Sequence, residues 1–172
     1  MTRALPVEHG IGKTIVLVGL GNIGSPLAAL LARCAWLRRL VLIDGDGYEA
    51  RNLEGQEIRV RDVGKPKAEV QAARLREIAP RLIVDAVCRR VEQLPMGRLR
   101  GDLIVAAVDS KVTRQEINQL AWRLGIPWVD AGVAPEGCLV RVRPFVPALG
   151  GPCLECGWDQ RDYDSLTIRR PC

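Results

Sequence analysis

Gly19-Leu20-Gly21-Asn22-Ile23-Gly24 has the spacing Gly-x-Gly-x-x-Gly. With Asp44, Lys67 and Asp109 it forms the set in this chain best suited to hold a phosphorylated ligand. Bare glycines let the backbone approach a phosphate, and amides at the start of a helix favour an anion. Asp44, about 20 residues further on, stands where a carboxylate accepts ribose hydroxyls. Lys67 falls in the first turn of a predicted helix, the end at which the macrodipole disfavours a cation. Its presence points to an anion nearby such as a triphosphate, and an ordinary surface lysine is the plain alternative. Asp109 ends a predicted strand, where a carboxylate reaches Mg²⁺ carried on phosphates. Asp109 and Ser110 suit equally well the N-cap of the helix that follows.

Between these points, Asp44-Gly45-Asp46-Gly47 and Asn52-Leu53-Glu54-Gly55-Gln56 make a polar loop at the carboxyl end of a strand, the place where open α/β sheets bind ligands. For Asp46 a solvated turn is an equal reading. Six cysteines occur, at 34, 88, 138, 153, 156 and 172. Cys153 and Cys156, with two residues between them, read as a metal or redox pair. Cys138 suits a small core residue, Cys34 and Cys88 read as buried, His9 has no base to offer, and all four tryptophans are expected to pack.

These residues must be carried by regular elements. A β-branched strand over 14–18 precedes the glycines, and Ser25-Pro26 supplies an N-cap and an N1 proline for a helix reaching about Trp36. A strand over 40–43 follows, then a helix opened by Lys65-Pro66 and ending near Pro80, with Ala68, Ala72, Leu75 and Ala79 as its apolar stripe. Strands over 82–87 and 103–108, a helix over 112–124 stopped by Gly125, and short strands over 127–130 and 138–142 complete the pattern. Continuous apolar strands alternating with amphipathic helices describe a Rossmann-like, doubly wound α/β fold, its sheet mostly parallel and covered on both faces. From Pro144 the chain turns to Pro, Gly and Cys without periodicity, which reads as an appended tail.

Length and composition set limits. A chain of 172 residues suits a single domain over 1–172, and 48% hydrophobic with 26% charged residues excludes a largely disordered protein. The net charge of +5 is spread along the chain and aromatics are only 4%, so a nucleic-acid surface is unsupported. No apolar run is long enough for a bilayer and the first twelve residues do not form a secretory signal, so a soluble, cytoplasmic protein without membrane contact is expected.

Six ordered motifs resemble the ThiF/MoeB/HesA family, the adenylating domain shared with ubiquitin-activating enzymes. They are Gly-Leu-Gly-Asn-Ile-Gly at 19–24, Asp44-x-Asp46, Asn52-Leu53-x-x-Gln56, Gly64-x-Pro66-Lys67-Ala68, Asp109-Ser110-x-x-x-Arg114-x-x-x-Asn118 and Cys153-x-x-Cys156, running over residues 13–158. The resemblance implies ATP-dependent adenylation of the C-terminal carboxylate of a small ubiquitin-like or sulfur-carrier protein ending in Gly-Gly, by a homodimer. It implies ATP contacts from Gly19, Gly21, Asn22, Gly24, Asp44, Asp46, Asn52, Gln56, Lys67, Asp109, Ser110 and Arg114. Within that set Asp44 would hold the ribose, Lys67 the phosphates and Asp109 the Mg²⁺, with Lys67 and Asp109 as the catalytic pair. Cys153 and Cys156 match the first half of a four-cysteine zinc site. Whether zinc is bound by this chain stays open, and the expectation is a chain truncated within a tail over 150–172.

The pattern departs from the family at Gly55, where an arginine is usual; Arg51, Arg59 and Arg61 are the arginines of the same loop. It also departs at residues 1–12, too short for the family's first helix, where Arg3 would be a poor substitute. The alternatives are an NAD-dependent oxidoreductase, which would leave Lys67 and Asp109 without a task, and a non-catalytic nucleotide-binding interaction module.

Overall fold

The computed structural model describes residues 12–134 and 139–167. The strands are β1 Lys13–Val18, β2 Leu37–Ile43, β3 Ile83–Val87, β4 Leu103–Ala106, β5 Trp128–Ala134 and β6 Leu139–Phe145. The helices are α1 Gly24–Leu31, α2 Lys67–Ile78, α3 Lys111–Leu124 and α4 Gln160–Thr167. The six strands form one sheet in the order β3-β2-β1-β4-β5-β6, parallel throughout except for the antiparallel edge pair β5 and β6. The chain winds outward through β2 and β3 on one side of β1, then returns to build β4, β5 and β6 on the other. The order reverses between β1 and β4, and ligands of such sheets bind beyond the carboxyl ends of the strands at that point.

The alternation along β1 explains its unbroken apolar run. Ile15 and Leu17 face one layer with Ala28 of α1 and Ala68, Ala72 and Leu75 of α2, while Val16 and Val18 face the other with Ile117, Leu120 and Ala121 of α3. Both faces are covered, so neither parity of the strand is free to be polar. The stripe expected on α2 is borne out at Ala68, Ala72 and Leu75, all fully buried.

Strands β2, β5 and β6 run longer than their sequence patterns indicate, and helix α1 departs from its expected bounds at both ends for local reasons. Ser25 does not cap α1: its hydroxyl donates to the Leu20 carbonyl at 2.5 Å, and the cap position is Ile23, which offers no side-chain acceptor. Helix α1 ends at Leu31, not near Trp36. Tighter turns with Arg33 N–H on Leu30 O and Cys34 N–H on Leu31 O close it, and the sheet claims Leu37 as the partner of Lys13. Trp36 is therefore exposed on the connecting turn, although Trp128 is buried as expected and stacks on Phe145 at 4.7 Å. Cys34 is half-buried, but Cys88, just past the edge strand β3, is exposed where a buried thiol was expected.

Residues 154–165 are tied to α3, which their composition does not suggest. Leu154 is buried in the α3 layer, its amide donates to Asn118 Oδ1 at 3.1 Å, and Glu155 accepts from Gln115, Asn118 and Gln119. Lys111 at the start of α3 reaches α4 through Asp162 Oδ1 at 2.6 Å and Ser165 Oγ at 2.9 Å. No helix among the described residues is long and apolar enough to cross a membrane.

Candidate functional site

The glycine turn joins β1 to α1 at the point where the strand order reverses. Gly19 has φ +89°, and a side chain there would run into the Ala107 backbone at the end of β4. A side chain at Gly24 would strike the Gly19 carbonyl, so these two glycines let strand, helix and neighbouring strand close up. Gly21 instead faces open space. Ser25 N–H and Leu27 N–H bond back to Gly21 O and Ile23 O, whereas the amides of Asn22, Ile23 and Gly24 are not taken up by any described residue. That is the donor set an anion needs.

Asp44 holds this turn from the adjacent strand end. Its Oδ2 accepts from Leu20 N–H at 2.7 Å and its Oδ1 from Asp46 N–H at 2.8 Å. Burial pushes its carboxyl above the ordinary aspartate range, against the pull of those two amides and of Lys67. Each oxygen keeps a lone pair for a further donor such as a ribose hydroxyl.

Lys67 is brought to the same corner by stitching between two loops. Tyr48 N–H bonds Lys65 O, Gly64 N–H bonds Tyr48 O and Lys67 N–H bonds Asp46 O, all near 3 Å, while Gly47 bridges Pro66. The Lys67 side chain is only 12% exposed, with Nζ 3.8 Å from Asp46 Oδ2 and 5.9 Å from the centre of the Tyr48 ring. This long ion pair and the ring face offset part of the unfavourable helix end. Tyr48 is itself fixed by a buried network that sequence reasoning missed: Gln71 Nε2 donates to its hydroxyl at 2.7 Å, and Ser25 Oγ lies 3.4 Å away. Burial raises the Tyr48 phenol further above its usual value. A tyrosine in a Gly-Asp loop, a serine and a glutamine on separate helices carry no signal of their meeting.

Asp109 and Ser110 follow β4; just past that strand the Ala107 N–H bonds Val18 O at 2.8 Å and so sets them beside the glycine turn. Ser110 caps α3, its Oγ accepting from Thr113 N–H at 3.3 Å. Asp109 is exposed, and no described cation pairs with its carboxylate. An exposed carboxylate just before a fixed helix start fits Mg²⁺, which takes one or two carboxylates and keeps its waters.

Arg114 sits one turn into α3 and is committed elsewhere. Its Nη2 donates to Val108 O at 2.6 Å and its Nε lies 2.8 Å from Asp130 Oδ1. Asp130, wholly buried in β5, also meets Arg141 at 3.2 Å and Arg143 at 3.8 Å from β6. Gly132 makes this possible, since a side chain there would lie 2.7 Å from the Arg114 guanidinium. Burial, then the charge of Arg141, pulls Arg143 below the ordinary arginine range, against the opposing effect of Asp130.

Asn22, Arg51, Asn52, Glu54, Gly55 and Gln56 line a cavity of about 410 Å³ at the mouth of the glycine turn. Asn52 is partly used internally, its Oδ1 accepting from Glu49 N–H at 2.8 Å. Gln56 Oε1 is buried without a partner among the described residues. Arg59 and Arg61 line a separate cleft against α2, with Arg33, Lys65 and Arg74 balanced by Glu57, Asp62, Glu69 and Glu77.

Cys153 and Cys156 lie on the α3 side, away from this corner, with sulfurs 3.5 Å apart and the Cys153 N–H on Cys156 Sγ at 3.3 Å. Burial raises the Cys153 thiol, but hydrogen bonds from Cys156, from Asn118 and from the backbone at 155 and 156 outweigh it and leave it below the ordinary cysteine value. Two sulfurs on one zinc at about 2.3 Å each stand a little under 4 Å apart, so the pair fits half of a tetrahedral site. No third Cys, His, Asp or Glu among the described residues joins them. Arg3, His9, Cys138 and Cys172 lie outside the described residues.

A model of the ThiF family matches residues 12–170. The chain belongs to the ThiF family. This ThiF-family chain is 31% identical over 162 residues to the sulfur carrier protein ThiS adenylyltransferase of Escherichia coli, an alignment that covers 92% of this chain and 63% of that protein. It is 33% identical over 150 residues to the SAMP-activating enzyme E1 of Haloferax volcanii, covering 85% and 53%. The structure of E. coli MccB with ATP superposes with a TM-score of 0.74 at 24% identity, over 90% of this chain and 46% of that one, and shows a shared fold. The chain thus spans roughly half to two thirds of the length of these relatives.

Proposed function

We propose that the crevice beyond β1 and β4 binds ATP with Mg²⁺ and that the chain adenylates the C-terminal carboxylate of a small ubiquitin-like or sulfur-carrier protein ending in Gly-Gly. The observation that carries this reading is the convergence of three groups on one turn: the untaken amides of 22–24, the Asp44 carboxylate bonded to Leu20 N–H, and Lys67 at the end of the stitched loop. A relative named as a ThiS adenylyltransferase and another named as SAMP-activating support the substrate class.

In this reading a carboxylate oxygen of the tail attacks the α-phosphorus, the bond to the bridging oxygen breaks, and pyrophosphate leaves with the electron pair. No protein nucleophile is needed, because positioning and charge neutralisation supply the rate. Asp44 orients the ribose, the amides of the glycine turn hold phosphate oxygens and Lys67 neutralises their charge; Asp109 would hold Mg²⁺, which would supply further positive charge against the phosphates' repulsion of the incoming carboxylate. Asp46, Asn52 and Gln56 border the nucleotide. Ser110 and Arg114 act one step back, fixing the start of α3 on which Asp109 stands. Homodimer assembly, a cytoplasmic location, and zinc held by Cys153 and Cys156 with two further ligands belong to the same proposal.

The test is exchange of labelled pyrophosphate into ATP in the presence of Gly-Gly-terminated carrier proteins. The wild type exchanges label, and Asp109→Ala abolishes exchange with an unchanged circular dichroism spectrum. Unchanged exchange in Asp109→Ala removes that residue from the site. ATP binding without exchange for any carrier favours the interaction module.

A further inference from the structure

The triphosphate chain of the proposed ATP carries about four negative charges, and Lys67 is tucked against Tyr48 and Asp46 on the ribose side of the turn. The cavity of about 410 Å³ next to Asn22 is the open space that continues from the glycine turn. Of the residues lining it, Arg51 is the single cation. Arg51 and Gly55 lie about one turn apart at the 3-10 segment Ala50–Glu54, so both belong to the same wall. Gly55 contributes no side chain to that wall, and a Cβ there would stand 3.2 Å from the Asn22 side-chain nitrogen Nδ2.

Arg51 is exposed to solvent. It is held by Glu49 alone among the described residues, with Nε 2.8 Å from Oε2 and Nη2 donating to Oε1 at 3.1 Å. This two-pronged grip on a planar anion is the geometry in which a guanidinium takes phosphate oxygens. The pair is exposed on both sides, 79% for Arg51 and 61% for Glu49, so little holds the guanidinium back from a more highly charged acceptor. The other two arginines of the loop are engaged elsewhere: Arg59 and Arg61 face the cleft along α2, among the carboxylates of Glu57, Asp62, Glu69 and Glu77.

We propose that Arg51 is the residue that grips the outer phosphates of the nucleotide, releasing Glu49 to do so and neutralising the charge that grows on pyrophosphate as it leaves. The proposal rests on the adenylation reading above and adds to it a contact that neither the glycine turn nor Lys67 supplies. A two-pronged donor at a developing charge contributes about 10²–10³ in kcat.

Pyrophosphate exchange and calorimetric binding of inorganic pyrophosphate test it together. Arg51→Ala is expected to lower kcat for exchange about 10²–10³-fold with little change in KM for the carrier, and to abolish pyrophosphate binding. Arg51→Lys restores only part of the rate. Arg59→Ala and Arg61→Ala leave both readouts unchanged. The double variant Arg51→Ala/Gly55→Arg is expected to regain activity, because it returns a guanidinium to the same wall one turn away. Unchanged exchange and binding in Arg51→Ala overturn the proposal while leaving the adenylation reading intact, and equal loss in Arg59→Ala overturns it too. Pyrophosphate binding that depends on Arg51 in a wild type that exchanges no label upholds the contact and sinks the reaction. A wild type that binds neither ATP nor pyrophosphate overturns both.

Discussion

Two aspartates near the carboxyl side of the sheet meet opposite fates. Asp44, just past β2, is bonded by two neutral amides and keeps lone pairs facing the crevice. Asp130, inside β5, is sealed from solvent and surrounded by Arg114, Arg141 and Arg143. An acid on the carboxyl side of the sheet is therefore not a ligand group by position alone. What decides is whether its charge is already matched by cations, as at Asp130, or held by dipoles that leave it able to accept more.

Breaking the sealed cluster should have the largest effect. Asp130→Ala leaves the largely buried Arg114 guanidinium without a counter-charge, while Arg141 and Arg143 keep access to water, and is expected to destabilise the fold by about 3 kcal/mol, read by urea denaturation. A loss under 1 kcal/mol would mean that water reaches Arg114 as well.

Asp44→Ala should spare the fold more and the ligand less. The loss of acceptors for a sugar is expected to weaken ATP binding about 10- to 100-fold by calorimetry, the range for hydrogen bonds to a charged group. Unchanged affinity would make Asp44 a purely structural brace of the turn. The pH dependence has a definite sign. The folded state holds the Asp44 proton to higher pH than the unfolded chain does, so that contribution to stability is full below the ordinary value of 3.8 and is lost as pH rises through the raised one. Asp44→Ala should remove this slope.

Tyr48→Phe is the smallest of the three. It strips Gln71 of its acceptor in a buried network and is expected to cost about 1–3 kcal/mol, with a matching fall in ATP affinity if the network positions Lys67. Lower stability with full affinity would separate the brace from the site.

These contrasts also mark how far the sequence was legible. The strand, the glycine turn, Asp44 and the helix carrying Lys67 follow from short-range pattern, because apolar parity, glycine spacing and a helix-opening proline act within a few residues. The Asp130 cluster was hidden, since α3, β5 and β6 meet only through the sheet order and Gly132 reveals its use only when Arg114 fills the space. Ser25 looked like a cap because its type and place fit one, yet the Leu20 carbonyl claimed its hydroxyl. The attachment of residues 154–165 to α3 escaped notice for a similar reason: Leu154 is held by Asn118 more than thirty residues earlier.

The most direct measurement is calorimetric titration of the wild-type chain with ATP and Mg²⁺ and, separately, with NADH. Saturable binding of ATP, weakened by Asp44→Ala and by Lys67→Ala and absent for NADH, is the predicted result. Tight NADH binding with no ATP binding would contradict it and return the glycine turn to a dehydrogenase.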